Sequence, residues 1–220
     1  MPGTLYIVAT PIGNLSDITL RAIDTLKSVS LIAAEDTRHT KILLDRYDIK
    51  TSTTSYFEYN KIQKSDYLLR VLKEGKDVAL VSDAGTPGIS DPGYKIIRLC
   101  IENGIPVVPI PGASGLVTAL TISGKPTDRF VFEGFLSNKS MRRKNQLKKL
   151  KAEGRTTVLY ESPHRLIKLL EDILAIYGDI ELVATRELTK KFEEVKREKV
   201  SILLAHFKSN KPRGEFIIII

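Results

Sequence analysis

The stretch DVALVSDAGTPGISDPG, residues 77–93, decides the fold. Its beginning, DVALVSD, is an apolar run short enough to be one buried strand. Its remainder, SDAGTPGISDPG at 82–93, packs two acids, three glycines and two prolines into twelve residues. Glycine lets backbone approach a ligand closely and adopt positive φ. Proline imposes the opposite constraint, a locked φ. A strand that empties into such a loop belongs in an α/β sheet, where ligands bind beside the loops that leave the carboxyl ends of strands.

The alternation continues outward from this stretch. GTLYIVAT (3–10), SLIAAED (30–36) and IPVVPIPG (105–112) read as further buried strands. DITLRAIDTLKSV (17–29) reads as a helix with Asp17 as its N-cap. TKILLDRY (40–47), KSDYLLRVLKEGK (64–76, stopped by Gly75) and GYKIIRLCIENG (93–104) are three more helices. Strand alternating with helix predicts an α/β domain with a parallel sheet covered by helices. Beyond about residue 116 the texture changes. DRFVFEGFL (128–136), TTVLYES (156–162), IELVATREL (180–188), KVSILLAHF (199–207) and GEFIIII (214–220) are five apolar runs read as strands. LIKLLEDILAIYG (166–178) is an amphipathic helix between the second and third. Several connections are too short for a crossover helix, so antiparallel pairing is expected and with it a mixed sheet. The expected division is an N-terminal α/β domain at 1–115 and a C-terminal α/β domain at 116–220, with GKPTDR (124–129) in the linker region.

Composition narrows the function classes. A chain of 220 residues at 42% hydrophobic can bury a core as one large domain or two small ones. Its net charge of +8 favours an anionic partner such as nucleic acid. The lone cysteine, Cys100, lies on an apolar helical stripe; it excludes an intrachain disulfide and fits a reducing compartment. MPGTLYIVATPIGN has neither a basic leader region nor a long apolar one, and no stretch approaches a membrane span, so a cytoplasmic protein with no membrane partner is expected. His39, His164 and His206 stand in unlike contexts without metal-ligand spacing, so no metal is expected. No GxxxxGK[ST] phosphate loop is present, and no strand is followed by GxGxxG, which disfavours a NAD-dependent dehydrogenase.

Four loops follow expected strands and share one character: ATPIGNL (9–15), AAEDTRHT (33–40), SDAGTPGISDPG and PIPGASG (109–115). The glycines and prolines of the first, third and fourth make rigid walls whose N–H and C=O groups suit an adenosine and an amino-acid moiety better than a triphosphate. TPIGNLSDITLRAIDTL, AAEDTRHT, SDAGTPGISDPG, PGASG, FEGFL, YESPHR and RELTKKFEE occur in that order over nearly the whole chain. This set resembles the tetrapyrrole methylase superfamily of S-adenosylmethionine-dependent methyltransferases. Within it, the set is similar to the branch that methylates a cytidine ribose 2′-hydroxyl in 16S rRNA.

The resemblance implies two α/β domains with the methyl donor in the cleft between them, a homodimer, and 16S rRNA or the small ribosomal subunit as partner. By that likeness Pro11 lies beside the donor, Asp83, Ala84, Gly85 and Thr86 form its main loop, and Ile89 and Ser90 add backbone contacts. Ser114 and Gly115 form the adenosine-side loop, and Leu136, Tyr160 and Gly214 supply later contacts. The family's members usually continue into a small C-terminal helical domain, whereas this sequence ends at GEFIIII.

A ribose hydroxyl is a poor nucleophile near neutral pH, so the protein must align the reacting atoms and give a proton somewhere to go. The polar groups available on the substrate side are Glu35, Arg38 and His39 from EDTRHT, Glu161, His164 and Arg165 from YESPHR, and Lys190 from TKKFEE. Arg38 and Arg165 suit phosphate clamps, because guanidinium matches phosphate bidentately. SNKSMRRKNQLKKLKAEGR (137–155) reads as a helix anchored by Leu147 and Leu150. It carries Lys139, Arg142, Arg143, Lys144, Lys148, Lys149, Lys151 and Arg155 as candidate phosphate contacts, and FKSNKPRG (207–214) is a smaller basic patch. Two rival readings stand beside this one: a methylase of the same superfamily acting on a small molecule or a protein, and a non-catalytic RNA-binding module with a degenerate donor pocket.

Overall fold

Residues 1–220 are all described in the computed structural model, and they divide into two units, Met1–Ser114 and Gly115–Ile220. In the first unit β1 (Leu5–Val8), β2 (Leu31–Ala34), β3 (Thr53–Ser55), β4 (Val78–Val81) and β5 (Val107–Ile110) form one sheet in the order β3-β2-β4-β1-β5. Every pairing in it is parallel. All four residues of β4 are buried, which is why VALV shows no polar alternation: both faces of the sheet are covered. Leu5, Val78 and Leu80 pack with Leu68 and Leu72 of α3 (Lys61–Lys73) and with Ile96 and Cys100 of α4 (Tyr94–Glu102). Val8, Ile32, Ala79 and Val81 pack with Ala22 and Leu26 of α1 (Leu20–Ser28) and Leu44 of α2 (Thr37–Arg46).

The strand order creates a switch point. The chain leaving β1 crosses towards β2 on one side, and the chain leaving its neighbour β4 crosses towards β5 on the other. Loops diverge there, leaving room for a ligand at the carboxyl ends of β1 and β4.

Local chemistry shifts two helix starts from their expected positions. Asp17 does not cap α1: residues Leu15–Asp17 form a 3-10 turn of their own, capped by Asn14, and Thr19 accepts from the Ala22 N–H at 3.1 Å to start the helix. Helix α2 starts before residue 40 because the Asp36 side chain accepts from the Arg38 N–H at 2.8 Å. Strand β3, only TTS, escapes a hydrophobic reading because it is a short edge strand.

The second unit contains α5 (Gly115–Thr121), β6 (Phe130–Phe135), α6 (Ser140–Glu153), β7 (Thr156–Glu161), α7 (Leu166–Tyr177), β8 (Glu181–Arg186), β9 (Glu194–Lys199), α8 (Val200–Ser209) and β10 (Phe216–Ile219). Its sheet runs β6-β7-β10-β8-β9, with β6 and β7 parallel and the other pairs antiparallel, so it is mixed as expected. KVSILLAHF is not a strand. From Val200 it is α8, which buries Val200, Leu203 and Phe207 at helical spacing. The strand is the polar stretch before it, EVKREK of β9, tolerated because it pairs only with β8 at the sheet edge. GKPTDR lies within the second unit rather than between units, and Lys125 Nζ there donates to the Glu181 carbonyl at 2.8 Å. One core joins Leu159, Leu182, Phe216 and Ile218 of the sheet to Leu147, Leu169, Ile173 and Leu203 of α6, α7 and α8.

Candidate active site

At the switch point of the first unit, the loops after β1 and β4 are zipped together. Thr10 N–H donates to the Gly85 carbonyl at 2.9 Å, and Gly85 N–H donates back to Thr10 at 3.1 Å. Thr10 Oγ1 also donates to the Ser82 carbonyl at 3.1 Å. Gly85 has φ +80°, the left-handed region in which a side chain is strained. Pro11, which follows Thr10, is buried, while Ala84, Ile89 and Ser90 are exposed and Thr86 is half-buried. Ser90 also sits at positive φ, 65°, without being glycine. Ser114 closes the unit after β5.

Behind this loop the ends of β2 and β4 are tied through acids. Asp83 Oδ1 accepts from the Asp36 N–H at 3.0 Å, and Glu35 Oε2 lies 3.5 Å from the Asp83 N–H. Burial raises the Glu35 carboxyl pKa; the Asp83 N–H opposes this and the Asp83 charge adds to it. Asp91 is pushed up to about 6, first by burial and then by the charge of Glu35, with a Ser82 hydrogen bond pulling the other way. Glu35, Asp83 and Asp91 thus concentrate negative potential beside the Gly85 turn, which suits a cationic ligand. Asp91 was not among the sequence candidates. Its signal was there in the loop's second acid, which no spacing rule ties to Glu35 or Asp83.

Arg38 and His39 stand on the exposed first turn of α2. The Arg38 guanidinium folds back on its own helix cap, with Nη2 at 3.0 Å and Nε at 3.3 Å from the Asp36 carboxylate. The Arg38 hydrogen bonds hold the Asp36 carboxyl down at about 2.

In the second unit, Tyr160 is flanked edge-on by Phe132 and Phe135, with ring centroids 4.9 and 5.8 Å away. A side chain on Gly115 would come within 3.8 Å of the Tyr160 hydroxyl. Next along β7, Glu161 is 2% exposed. Its Oε1 accepts from the Ser162 N–H at 2.8 Å and lies 3.2 Å from Arg165 Nε, but Oε2 is buried without a partner. Burial raises the Glu161 pKa and outweighs the Ser162 N–H and the Arg165 charge. Arg165 Nη2 donates to the Leu136 carbonyl. Arg165 is therefore a brace between β7 and the loop after β6, and not a free phosphate clamp. His164 beside it is exposed.

A second guanidinium braces the same loop. Arg143, 3% exposed, pairs with Asp172 of α7 at 2.6 Å and reaches the Ser137 and Asn138 carbonyls at 3.4 and 3.5 Å. Arg143 is thereby removed from the surface cations expected on this helix. Gln146 Oε1 accepts from the Ser137 N–H at 2.9 Å and completes the hold.

Lys190 is also engaged, at 3.1 Å from Glu187 and 2.8 Å from Glu215. Burial works against its ammonium, but hydrogen bonds to those two carboxylates outweigh it and raise the pKa. Gly214 backs this cluster: φ is +84°, and a Cβ there would lie 2.5 Å from Glu187 Cγ. No group of three or more His, Cys, Asp or Glu side chains is placed to hold a metal ion.

Residues 4–203 match the family model of the Tetrapyrrole (Corrin/Porphyrin) Methylases. The chain belongs to the tetrapyrrole methylase family. Among curated members it is 51% identical over 219 residues to the ribosomal RNA small subunit methyltransferase I of Synechocystis sp., covering 99% of this chain and 78% of the relative. The protein of the same name in Thermotoga maritima is 50% identical over 218 residues, covering 99% of this chain and 98% of the relative. The fold is also that of uroporphyrin-III C-methyltransferase from Thermus thermophilus complexed with S-adenyl homocysteine, with a TM-score of 0.67 at 17% identity, over 99% of this chain and 97% of that one.

Proposed function

We propose that this tetrapyrrole methylase family member transfers a methyl group from S-adenosylmethionine to the 2′-hydroxyl of a cytidine ribose in 16S rRNA. The chain is a methyltransferase. The reading is carried by one observation: about half of its residues are identical, over 99% of its length, to proteins named ribosomal RNA small subunit methyltransferase I. A cytoplasmic homodimer acting on the ribosome's small subunit goes with the same proposal.

The donor, when bound, supplies a methyl carbon on a sulfonium cation. The first unit suits such a cation through Glu35, Asp83 and Asp91, because opposite charge relieves the mutual repulsion that adds to burial in raising the Asp91 pKa. Pro11, Asp83, Ala84, Gly85, Thr86, Ile89, Ser90 and Ser114 of the first unit are assigned to donor binding. Gly115, Leu136, Tyr160 and Gly214 of the second are assigned with them. Around Leu136 the two guanidinium braces keep the loop in place, so it binds without first being ordered.

On the substrate side, Glu35, Arg38, His39, Glu161, His164, Arg165 and Lys190 divide by what they touch. Arg38 and His39 are exposed and available to RNA; Arg38 exchanges one anion, Asp36, for another when it meets phosphate. Glu35 and Glu161 carry pKa values raised by burial, which makes each a stronger proton acceptor than an ordinary carboxylate. Arg165 and Lys190 position neighbouring backbone and carboxylates.

The test uses labelled S-adenosylmethionine and small subunits from cells lacking this enzyme, with mapping of alkali-resistant linkages in the extracted 16S rRNA. A 2′-O-methyl group removes the nucleophile of alkaline strand cleavage, so one labelled, resistant site is expected. Labelled RNA without a resistant linkage would move the methyl group to a base and overturn the ribose assignment.

A further inference from the structure

We propose that the outer face of α6 is the RNA-docking surface of this enzyme, with one nucleotide of the substrate strand seated in the groove beside it. This inference rests on the rRNA reading given above. Between Lys139 and Lys149 there is no acidic residue. Lys139, Arg142, Lys148 and Lys149 are exposed and form no ion pair. Cations elsewhere on the surface are commonly paired, as in Lys41–Asp45, Lys50–Asp48, Lys76–Glu74 and Arg98–Glu102. A face that holds several unneutralised cations together suits a polyanion. It suits a second copy of this chain poorly, since a two-fold contact would set cation against cation.

The face is also rigidly mounted. The inward side of α6 is fixed by Leu147 and Leu150 in the core and by the buried Arg143–Asp172 pair. The same arginine holds the loop that enters the helix, so the outer cations stand on a fixed platform.

The groove gives the face its specificity. Its volume is about 390 Å³, and Arg142, Asn145, Gln146, Lys149, Glu133 and Glu153 line it. Arg142 and Lys149 are two helical turns apart on one side and offer charge to phosphate. Between them Asn145 presents its amide to a base edge, and Gln146, whose Oε1 is held by the Ser137 N–H, adds its Nε2 donor. Glu133 repels phosphate from the far wall but accepts hydrogen bonds from an exocyclic amino group. The arrangement takes a nucleotide with its phosphate towards the helix and an amino-bearing base edge towards β6.

The experiment measures binding of the intact chain to small subunits and to a fragment of 16S rRNA, over a series of salt concentrations. The variant K139Q/R142Q/K148Q/K149Q keeps the helix and its side-chain stems. It is expected to bind RNA roughly 10- to 100-fold more weakly, and the slope of log affinity against log salt should become shallower by about 2 to 3. Its S-adenosylmethionine affinity should equal that of the unmodified chain. E133Q, tested separately, should weaken binding of an amino-bearing base at the groove relative to uridine. Unchanged RNA affinity and salt slope in the quadruple variant would overturn the docking face. If the unmodified chain binds RNA with the steep slope, the variant loses it, and no methyl transfer occurs, the docking face stands and the enzymatic reading fails. An unmodified chain that binds no RNA overturns both.

Discussion

Asp91 has a chemistry that its sequence context does not show. Its carboxyl titrates at about 6 in the folded chain because it is partly buried and shares a corner with Glu35 and Asp83. A raised folded pKa contributes stability that is complete below the unfolded value, near 3.8, and is lost as pH rises through about 6. Asp91→Asn should therefore stabilise the unliganded chain at pH 7 to 8, by on the order of 1–2 kcal/mol after solvent screening. The gain should vanish towards pH 4, and denaturant midpoints across this range would show it. The same substitution should weaken S-adenosylmethionine binding, since it removes one anion from the cluster; equal or tighter binding would remove Asp91 from the donor site. Arg38 makes the contrasting case. It is exposed and engaged only with Asp36, so Arg38→Ala should lower methylation of the small subunit at least tenfold while leaving donor affinity as it was. Parallel loss of both would place Arg38 on the donor instead.

Among the elements, the loop between β6 and α6 is held with more polar contacts than its length requires. Arg165 and Arg143 each bring a buried carboxylate partner and each donate to its carbonyls. A buried pair stabilises little relative to apolar residues, yet breaking it strands a charge. Asp172→Leu should cost about 3–5 kcal/mol, while Arg143→Met/Asp172→Leu should cost clearly less than that single change. Equilibrium unfolding of the two variants would check this order. In the double variant the Ser137 and Asn138 carbonyls lose their donor, so its RNA affinity should fall even where its stability recovers.

For the whole molecule, the second unit depends on its last strand. β10 is the middle strand of the sheet, hydrogen-bonded to β7 on one side and β8 on the other, and it supplies Phe216 and Ile218 to the core. Removing residues 216–220 splits that sheet in two. The first unit has its own strands and its own two core clusters and should keep its structure. Hydrogen exchange should show protection lost across 115–215 and retained in β1, β2 and β4. A truncated chain with intact protection in β7 and β8 would show that the sheet closes without β10.

The sequence alone determined the strands buried on both faces and the helices that cover them. VALV in β4 and LIAA in β2 have no polar alternative to packing, and the glycine- and proline-rich loop after VALV marks where a ligand would approach. Its motif order was also sufficient for the family. Short-range chemistry accounts for some of what it left open, such as Thr19 in place of Asp17 as the cap of α1. The rest was decided by the tertiary structure. KVSILLAHF has no strong local preference, and it became a helix because Val200, Leu203 and Phe207 find the core at helical spacing while polar EVKREK can pair at an edge. Arg143 looks like its basic neighbours until Asp172, 29 positions away, is brought beside it. Asp91, Glu35 and Asp83 acquire their coupled charge only because β2 and β4 are adjacent. Charge and burial depend on distances through space, and distances between residues far apart in the chain exist only once the sheet has formed.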